Sequence, residues 1–188
     1  GFSLHSHYAH TRRALQLASL VVALGNSEKA AIEEGFLIDP ARVRVLSHGV
    51  GAHLFEADGQ LFRLRTGVGE PFVLLAGPIS PALDQLGLVR QLSGCGLPVV
   101  LLGEARERDQ DYLRQLRSVP GVTCLGGLYQ DERLLASAHA AASVLVLPCR
   151  GDSCVRSVFD ALASGTPVLA TGPGPGGAPG AAAPAGRS

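Results

Sequence analysis

Two carboxylates, Asp152 and Asp160, stand eight positions apart in S-V-L-V-L-P-C-R-G-D-S-C-V-R-S-V-F-D-A-L-A-S-G-T-P-V-L-A-T, residues 143–171. On a helix, eight positions cover roughly 12 Å along the axis and about 80° of rotation. Two carboxyls that work across one glycosidic bond stand only about 5–9.5 Å apart. The spacing therefore suits contact with two hydroxyl-rich ends of one elongated ligand better than paired attack on a single bond. A plainer reading stays open beside it, with Asp152 as a helix N-cap and Asp160 as a solvated helix acid.

The elements that must hold these acids are readable from the same stretch. Val144–Leu147 is a short apolar run of the kind buried on both faces of a sheet. Pro148 ends it, and residues 149–152 form a small polar loop. From Ser153 a helical pattern begins, with Val155, Val158, Phe159 and Leu162 as its apolar stripe. Gly165 occupies a helix C-cap position, Pro167 follows, and Val168–Ala170 opens another strand. The loop thus lies at the carboxyl end of a strand, where open α/β sheets bind ligands. A helix mouth at Ser153 also favours an anion, through its free N–H groups and its dipole.

The segment from Pro148 to Thr171 resembles the E-x7-E region of retaining GT-B glycosyltransferases of the family-4 type, the glycosyl transferases group 1. The A-L-A-S-G-T-P-V-L-A-T end, residues 161–171, is the most specific part of the match. The resemblance implies that Asp152 contacts the donor sugar and Asp160 the nucleotide ribose. It also implies that backbone around Gly77 and Ser153, Cys154 and Val155 meets the donor diphosphate. Both acids are Asp where the family has Glu, and Ser153-Cys154-Val155 stands where the family has a glycine-rich turn. Side chains there hold backbone away from a phosphate.

Further motifs follow in the family's order. L-A-S-L-V-V-A-L-G-N-S-E-K-A-A-I, residues 17–32, and D-P-A-R-V-R-V-L-S-H-G-V, residues 39–50, resemble the elements that close the family's first, acceptor-binding domain. A histidine upstream of that strand often acts on the donor in the family. His5 is the candidate here, with His7 as an alternative register, against the reading that both are ordinary loop histidines. G-P-I-S-P-A-L-D-Q-L-G-L, residues 77–88, resembles the loop in which an Arg and a Lys clamp the diphosphate, yet Pro78 and Leu83 occupy those positions. Hydrogen bonds to charged groups contribute about 1.5–3 kcal/mol each. Losing two weakens donor binding about 10²–10⁴-fold. Arg150 and Arg156 are the substitutes at hand, although Arg156 also reads as a solvated or Asp-paired helix residue.

The rest of the chain alternates strands and helices. A helix over 14–18, a strand over 20–24, a helix from Asn26 or Ser27 to Glu34 stopped by Gly35, and a strand over 43–46 form the end of a first domain, residues 1–50. Residues 51–71 read as a linker anchored by Leu54-Phe55 and Leu61-Phe62. Residues 72–171 follow as a second domain, which the resemblance makes the nucleotide-sugar-binding one. Its strands are expected at 72–76, 98–102, 122–125, 144–147 and 168–170, and its helices at 84–92, 108–117, 131–142 and from 153. That order predicts an α/β fold, a Rossmann-like doubly wound parallel sheet. Gly77, Gly103 and Gly126 close successive strands, and no G-x-G-x-x-G fingerprint follows any strand, against a nicotinamide dehydrogenase. Residues 172–188 are Gly, Pro and Ala-rich and are expected to be disordered.

Composition excludes other classes. The 188 residues carry a formal net charge of zero, so nothing points to nucleic acid or a polybasic membrane anchor. Lys29 is the single lysine and Met is absent, even at position 1, which fits an internal or processed piece. Cys95, Cys124, Cys149 and Cys154 show no metal-finger spacing, and a reducing cytoplasm is expected. No apolar run reaches the roughly 18 residues of a membrane span, which leaves room only for peripheral contact.

The resemblance therefore implies a retaining, metal-independent transfer of sugar from a nucleotide-sugar, with no cofactor, to a glycan, lipid or small-molecule acceptor. Pro78, Leu83 and the limited first domain support a competing expectation, a degenerate relative that binds or assembles without catalysis. A sugar-nucleotide epimerase of the same fold is a third.

Overall fold

The computed structural model describes residues 4–69, 71–126, 130–148, 155–171 and 182–183. The chain divides into two compact units, residues 1–49 and 50–188.

In the first unit, helix α1 (Leu4–Leu17) precedes strand β1 (Val21–Ala23), helix α2 (Asn26–Phe36) and strand β2 (Val43–Val45). β1 and β2 pair in parallel with Val21 beside Val43 and Ala23 beside Val45. One face of this small sheet packs Val21, Ala23 and Val43 against Ile32 and Ile38. Two expectations fail here for one reason. α1 begins ten residues earlier than residues 14–18 suggested, and α2 runs through Gly35, the expected stop. Tyr8 stacks on Phe36 with ring centroids 5.1 Å apart, and its hydroxyl donates to the Gly35 carbonyl at 2.6 Å. This contact between helices lengthens both beyond what local propensity dictates. The left-handed turn falls on Leu37, φ 56°, instead of on the glycine.

The second unit opens with helices α3 (Ala52–Phe55) and α4 (Gln60–Thr66), where the sequence suggested a bare connection. Each apolar pair splits between inside and outside: Leu54 and Phe62 are buried, Phe55 and Leu61 exposed. Phe62 stacks on Phe72 at 5.6 Å. Its N–H donates to the Ser137 hydroxyl at 2.9 Å, and that hydroxyl donates to the Asp58 carbonyl at 2.6 Å.

There follow β3 (Val73–Ala76), α5 (Gln85–Leu92), β4 (Val99–Leu102), α6 (Gln110–Arg117), β5 (Val122–Leu125), α7 (Glu132–Ala141), β6 (Val144–Pro148), α8 (Val155–Ala163) and β7 (Val168–Thr171). The strands lie in the order β5-β4-β3-β6-β7, all parallel. A two-residue strand, β8 (Ala182–Ala183), adds antiparallel beside Val168 and Leu169. That pairing corrects the expectation of disorder at those two positions: the sheet edge offers open backbone groups that a short alanine segment satisfies.

Successive residues of each central strand enter opposite cores, as the two-residue period requires. Leu74, Val100, Leu102, Leu145 and Leu147 pack with Phe62, Leu134, Ala138 and Ala161 on one side. Val73, Leu75, Val99, Leu101 and Val146 pack with Val89, Leu113 and Leu116 on the other. α5 and α6 therefore cover one face, and α4, α7 and α8 the opposite one. This is the doubly wound Rossmann-like sheet that the alternation predicted. Its strand order reverses direction between β3 and β6, the position where such sheets leave a crevice at their carboxyl ends.

Local caps fix the helices of this unit. The Asp84 carboxylate accepts from the Gly87 N–H at 3.3 Å, and that of Asp131 from those of Arg133 and Leu134, each at 3.1 Å. α8 ends in a Schellman motif: Thr166 N–H donates to the Ala161 carbonyl at 2.9 Å and Gly165 N–H to that of Leu162 at 3.1 Å. Along α8, Val158 and Leu162 join the core with Ala161, whereas Phe159 is exposed. Phe159, expected in the apolar stripe, thus faces outward, and Ala161 takes a place in the core.

Candidate functional site

At the strand-order reversal lies a cleft of about 160 Å³, bordered by Gly77 and Pro78 after β3, Leu83 before α5, Leu147 and Pro148 at the end of β6, and Ser157 on α8. The loop that follows β3 is fixed by its own backbone. Gly77 N–H donates to the Leu102 carbonyl at 3.0 Å and Ile79 N–H to that of Glu104 at 2.9 Å, so the chain continues as a strand beyond β3. Gly77 takes φ +142°, open to glycine but costly to other residues. Its carbonyl lies where Gly103 would carry a Cβ, only 1.8 Å from that position, so both glycines are required for the two loops to cross.

Gln85 completes the loop from inside. It is 5% exposed; its Nε2 donates to the Pro78 carbonyl at 2.8 Å and its Oε1 accepts from Ser80 N–H at 3.2 Å. Ala82 N–H donates to the Ser80 hydroxyl at 3.3 Å, Leu83 N–H to the Ser80 carbonyl at 3.0 Å, and Asp84 N–H to that of Pro81 at 3.1 Å. Gln85 was not among the residues expected from the sequence. Its available signal was a polar residue in an apolar helix start, just after a proline-rich turn whose donors need partners.

Of the residues proposed from the sequence, Gly77 lines the cleft, and its N–H donates to the Leu102 carbonyl. Pro78 and Leu83 themselves line the cleft, so the exchange of cations for apolar groups shapes the site directly. Asp160 sits two-thirds of the way along α8 with its side chain 16% exposed, and Arg156, 75% exposed, approaches it one turn earlier with Nε 3.7 Å from Oδ2. Arg156 is therefore an Asp-paired helix residue, one of the two readings left open. Ser157, between them on the helix, reaches the cleft and had no signal in the sequence.

Asp152, Ser153 and Cys154 lie outside the described residues, as does Arg150; Val155 is the first residue of α8. His5 falls in the first turn of α1, and His7 is exposed on the same helix, so neither is a loop histidine. Among the described residues no group of three His, Cys, Asp or Glu side chains could hold a metal ion, and no helix is long and apolar enough to cross a membrane.

His139 on α7 is buried, and that burial lowers its pKa to about 4. Among the described residues its Nδ1 has no hydrogen-bond partner. The Thr166 hydroxyl donates to its backbone carbonyl. The histidine is thus neutral and structural at pH 7.

Parallel strands in this order, with helices on both faces and a crevice at their reversal, define a doubly wound, Rossmann-like α/β domain. The family of glycosyl transferases group 1 matches residues 79–185, more than half of the chain, and the chain belongs to that family. Solved structures agree on the fold. Alr3699/HepE from Anabaena, crystallised with UDP and glucose, superposes with a TM-score of 0.72 at 23% identity, covering 90% of this chain and 48% of its own. The sucrose-phosphate synthase of Thermosynechococcus elongatus gives 0.72 at 22% identity, covering 88% and 44%. A glycosyltransferase from Rickettsia africae gives 0.70 at 16%, covering 95% and 50%. The chain spans about half the length of these proteins. No curated protein matches it by sequence.

Proposed function

We propose that this chain is the donor-binding part of a glycosyltransferase that moves a sugar from a nucleotide-sugar to an acceptor. The reading rests on one coincidence: the family match at residues 79–185 takes in β6 and α8, and these elements border the crevice at the strand-order reversal. In this reading Asp160 binds the ribose, Asp152 the sugar, and amides at Ser153 to Val155 the diphosphate. The transfer proceeds with retention and without a metal or cofactor. UDP, present in the Anabaena structure, is the nucleotide to try first.

A specific observation favours a second reading, a domain that has lost catalysis: Pro78 and Leu83 replace charge in the cleft wall. Calorimetric titration with UDP and UDP-glucose separates the two. Micromolar binding that disappears in Asp160→Ala supports a working donor site. Absence of binding below millimolar concentrations removes it and leaves the non-catalytic domain.

A further inference from the structure

We infer that Gln85 is a positioning residue of the crevice. Its side-chain amide stands in for a neighbouring strand and holds the β3–α5 loop in the conformation that meets a nucleoside diphosphate. This role presupposes the donor-site reading above and deepens it.

β3 pairs with β4 along its whole length, Val73 through Ala76, whereas its pairing with β6 covers Val73 and Leu74. Past that point the two strands part and the crevice opens between them. The backbone after β3 nevertheless runs on as a strand. Gly77 N–H donates to the Leu102 carbonyl and Ile79 N–H to that of Glu104, and Ile79 bridges to Ala105 in parallel. Successive residues of a strand turn their N–H and C=O groups to opposite sides. Gly77 and Ile79 face β4, so the Pro78 carbonyl and the Ser80 N–H face the β6 side, where the ladder has already ended.

Gln85 occupies that gap. Its Nε2 donates to the Pro78 carbonyl at 2.8 Å, and its Oε1 accepts from the Ser80 N–H at 3.2 Å. A carboxamide presents one donor and one acceptor side by side, as the peptide group of a further strand would. Asp84, at φ 50°, takes the left-handed conformation that reverses the chain and returns residue 85 to residues 78–80. Gln85 is 5% exposed and lines the crevice together with Pro78 and Leu83. Both of its partners lie in the loop itself, so loss of the two bonds loosens the loop and spares the sheet. A loop that holds its binding conformation for roughly one-tenth of the time binds about tenfold more weakly.

The test is calorimetric titration of the full chain with UDP, GDP and ADP, well below the melting transition of every variant. Gln85→Met keeps the length of the side chain and removes both bonds. It should weaken the nucleotide that the native chain binds by at least about tenfold. Gln85→Glu keeps the acceptor for Ser80 N–H but, at about pH 8, sets a carboxylate oxygen against the Pro78 carbonyl, and it should weaken binding equally. A carboxyl so placed gains a proton above its ordinary range. At about pH 5 it donates again, and affinity should return to within about threefold of the native chain at that pH. A residue needed for folding alone gives no such rescue. In the ligand-free chain, NMR signals of the Ile79, Ser80, Ala82 and Leu83 amides should move or broaden in Gln85→Met, while those of Val122 to Leu125 keep their places. Affinity of Gln85→Met within about twofold of native, or equal weakening of Gln85→Glu at both pH values, would overturn the positioning role and leave the donor site standing. A native chain that binds none of the three nucleotides overturns the donor reading, and the role of Gln85 with it.

Discussion

The two parallel sheets of this chain are written in nearly the same alphabet and meet different fates. β1 and β2 carry Val21-Val22-Ala23 and Val43-Arg44-Val45; β3 and β4 carry Val73-Leu74-Leu75-Ala76 and Val99-Val100-Leu101-Leu102. In the larger sheet both faces are covered, and Leu74, Val100 and Leu102 are buried as fully as Val73, Val99 and Leu101. In the smaller one Val22 is 47% exposed, with Leu20, Leu24 and Leu46 exposed around it. Burial on both faces is what parallel strands ordinarily require. The difference teaches that an apolar strand sequence states a capacity for burial, and that the neighbours decide how much of it is used. The cleft belongs to the sheet whose faces are both filled, where the loops at its carboxyl edge stand on a rigid base.

The sharpest way to break this comparison is to hollow each sheet in turn. Leu145→Ala, in the fully enclosed β6, should cost about 2–5 kcal/mol in a denaturant titration. A loss below about 1 kcal/mol would show that the larger core is not packed as described.

A second effect belongs to the larger unit alone. His139 has a folded pKa of about 4 against an ordinary 6.5. The unfolded chain therefore binds the proton more readily between those values. The stability this histidine confers by staying neutral is complete above about pH 6.5 and falls as the pH drops toward 4, by roughly 3 kcal/mol in all. Stability curves at several pH values should show that slope in the native chain and a flatter one in His139→Leu. Because Nδ1 has no partner to lose among the described residues, that variant should hold its stability at pH 7. An unchanged slope would place the acid sensitivity elsewhere.

The smallest expected effect sharpens the contrast. Val22→Thr, on the open face of β1, should change stability by no more than about 0.5 kcal/mol. Thermal unfolding monitored by circular dichroism would detect a larger loss, and such a loss would mean that this face is covered after all.

Much of the larger unit is legible from local signals in its sequence. Its strands are short apolar runs closed by glycine or proline, and its helices start at Asp84 and Asp131, signals that act within four residues. Gly165 announces the end of α8 for the same reason. The first unit is less legible: its helix ends depend on Tyr8 meeting Phe36, residues 28 positions apart, and no local pattern encodes that meeting. In the candidate site, the hydrogen bond from Gly77 N–H to the Leu102 carbonyl was not legible in the sequence, because that partner lies on another strand.

The sequence by itself determined the alternation of strands and helices, the caps, and the apolar character of Pro78 and Leu83, since each is a property of a residue and its near neighbours. Only the tertiary structure decided that β3 lies beside β6, that Gly103 admits the Gly77 carbonyl, and that Gln85 satisfies the turn from within. Those outcomes depend on groups far apart in the chain, whose pairing is chosen by packing two cores against one sheet at once.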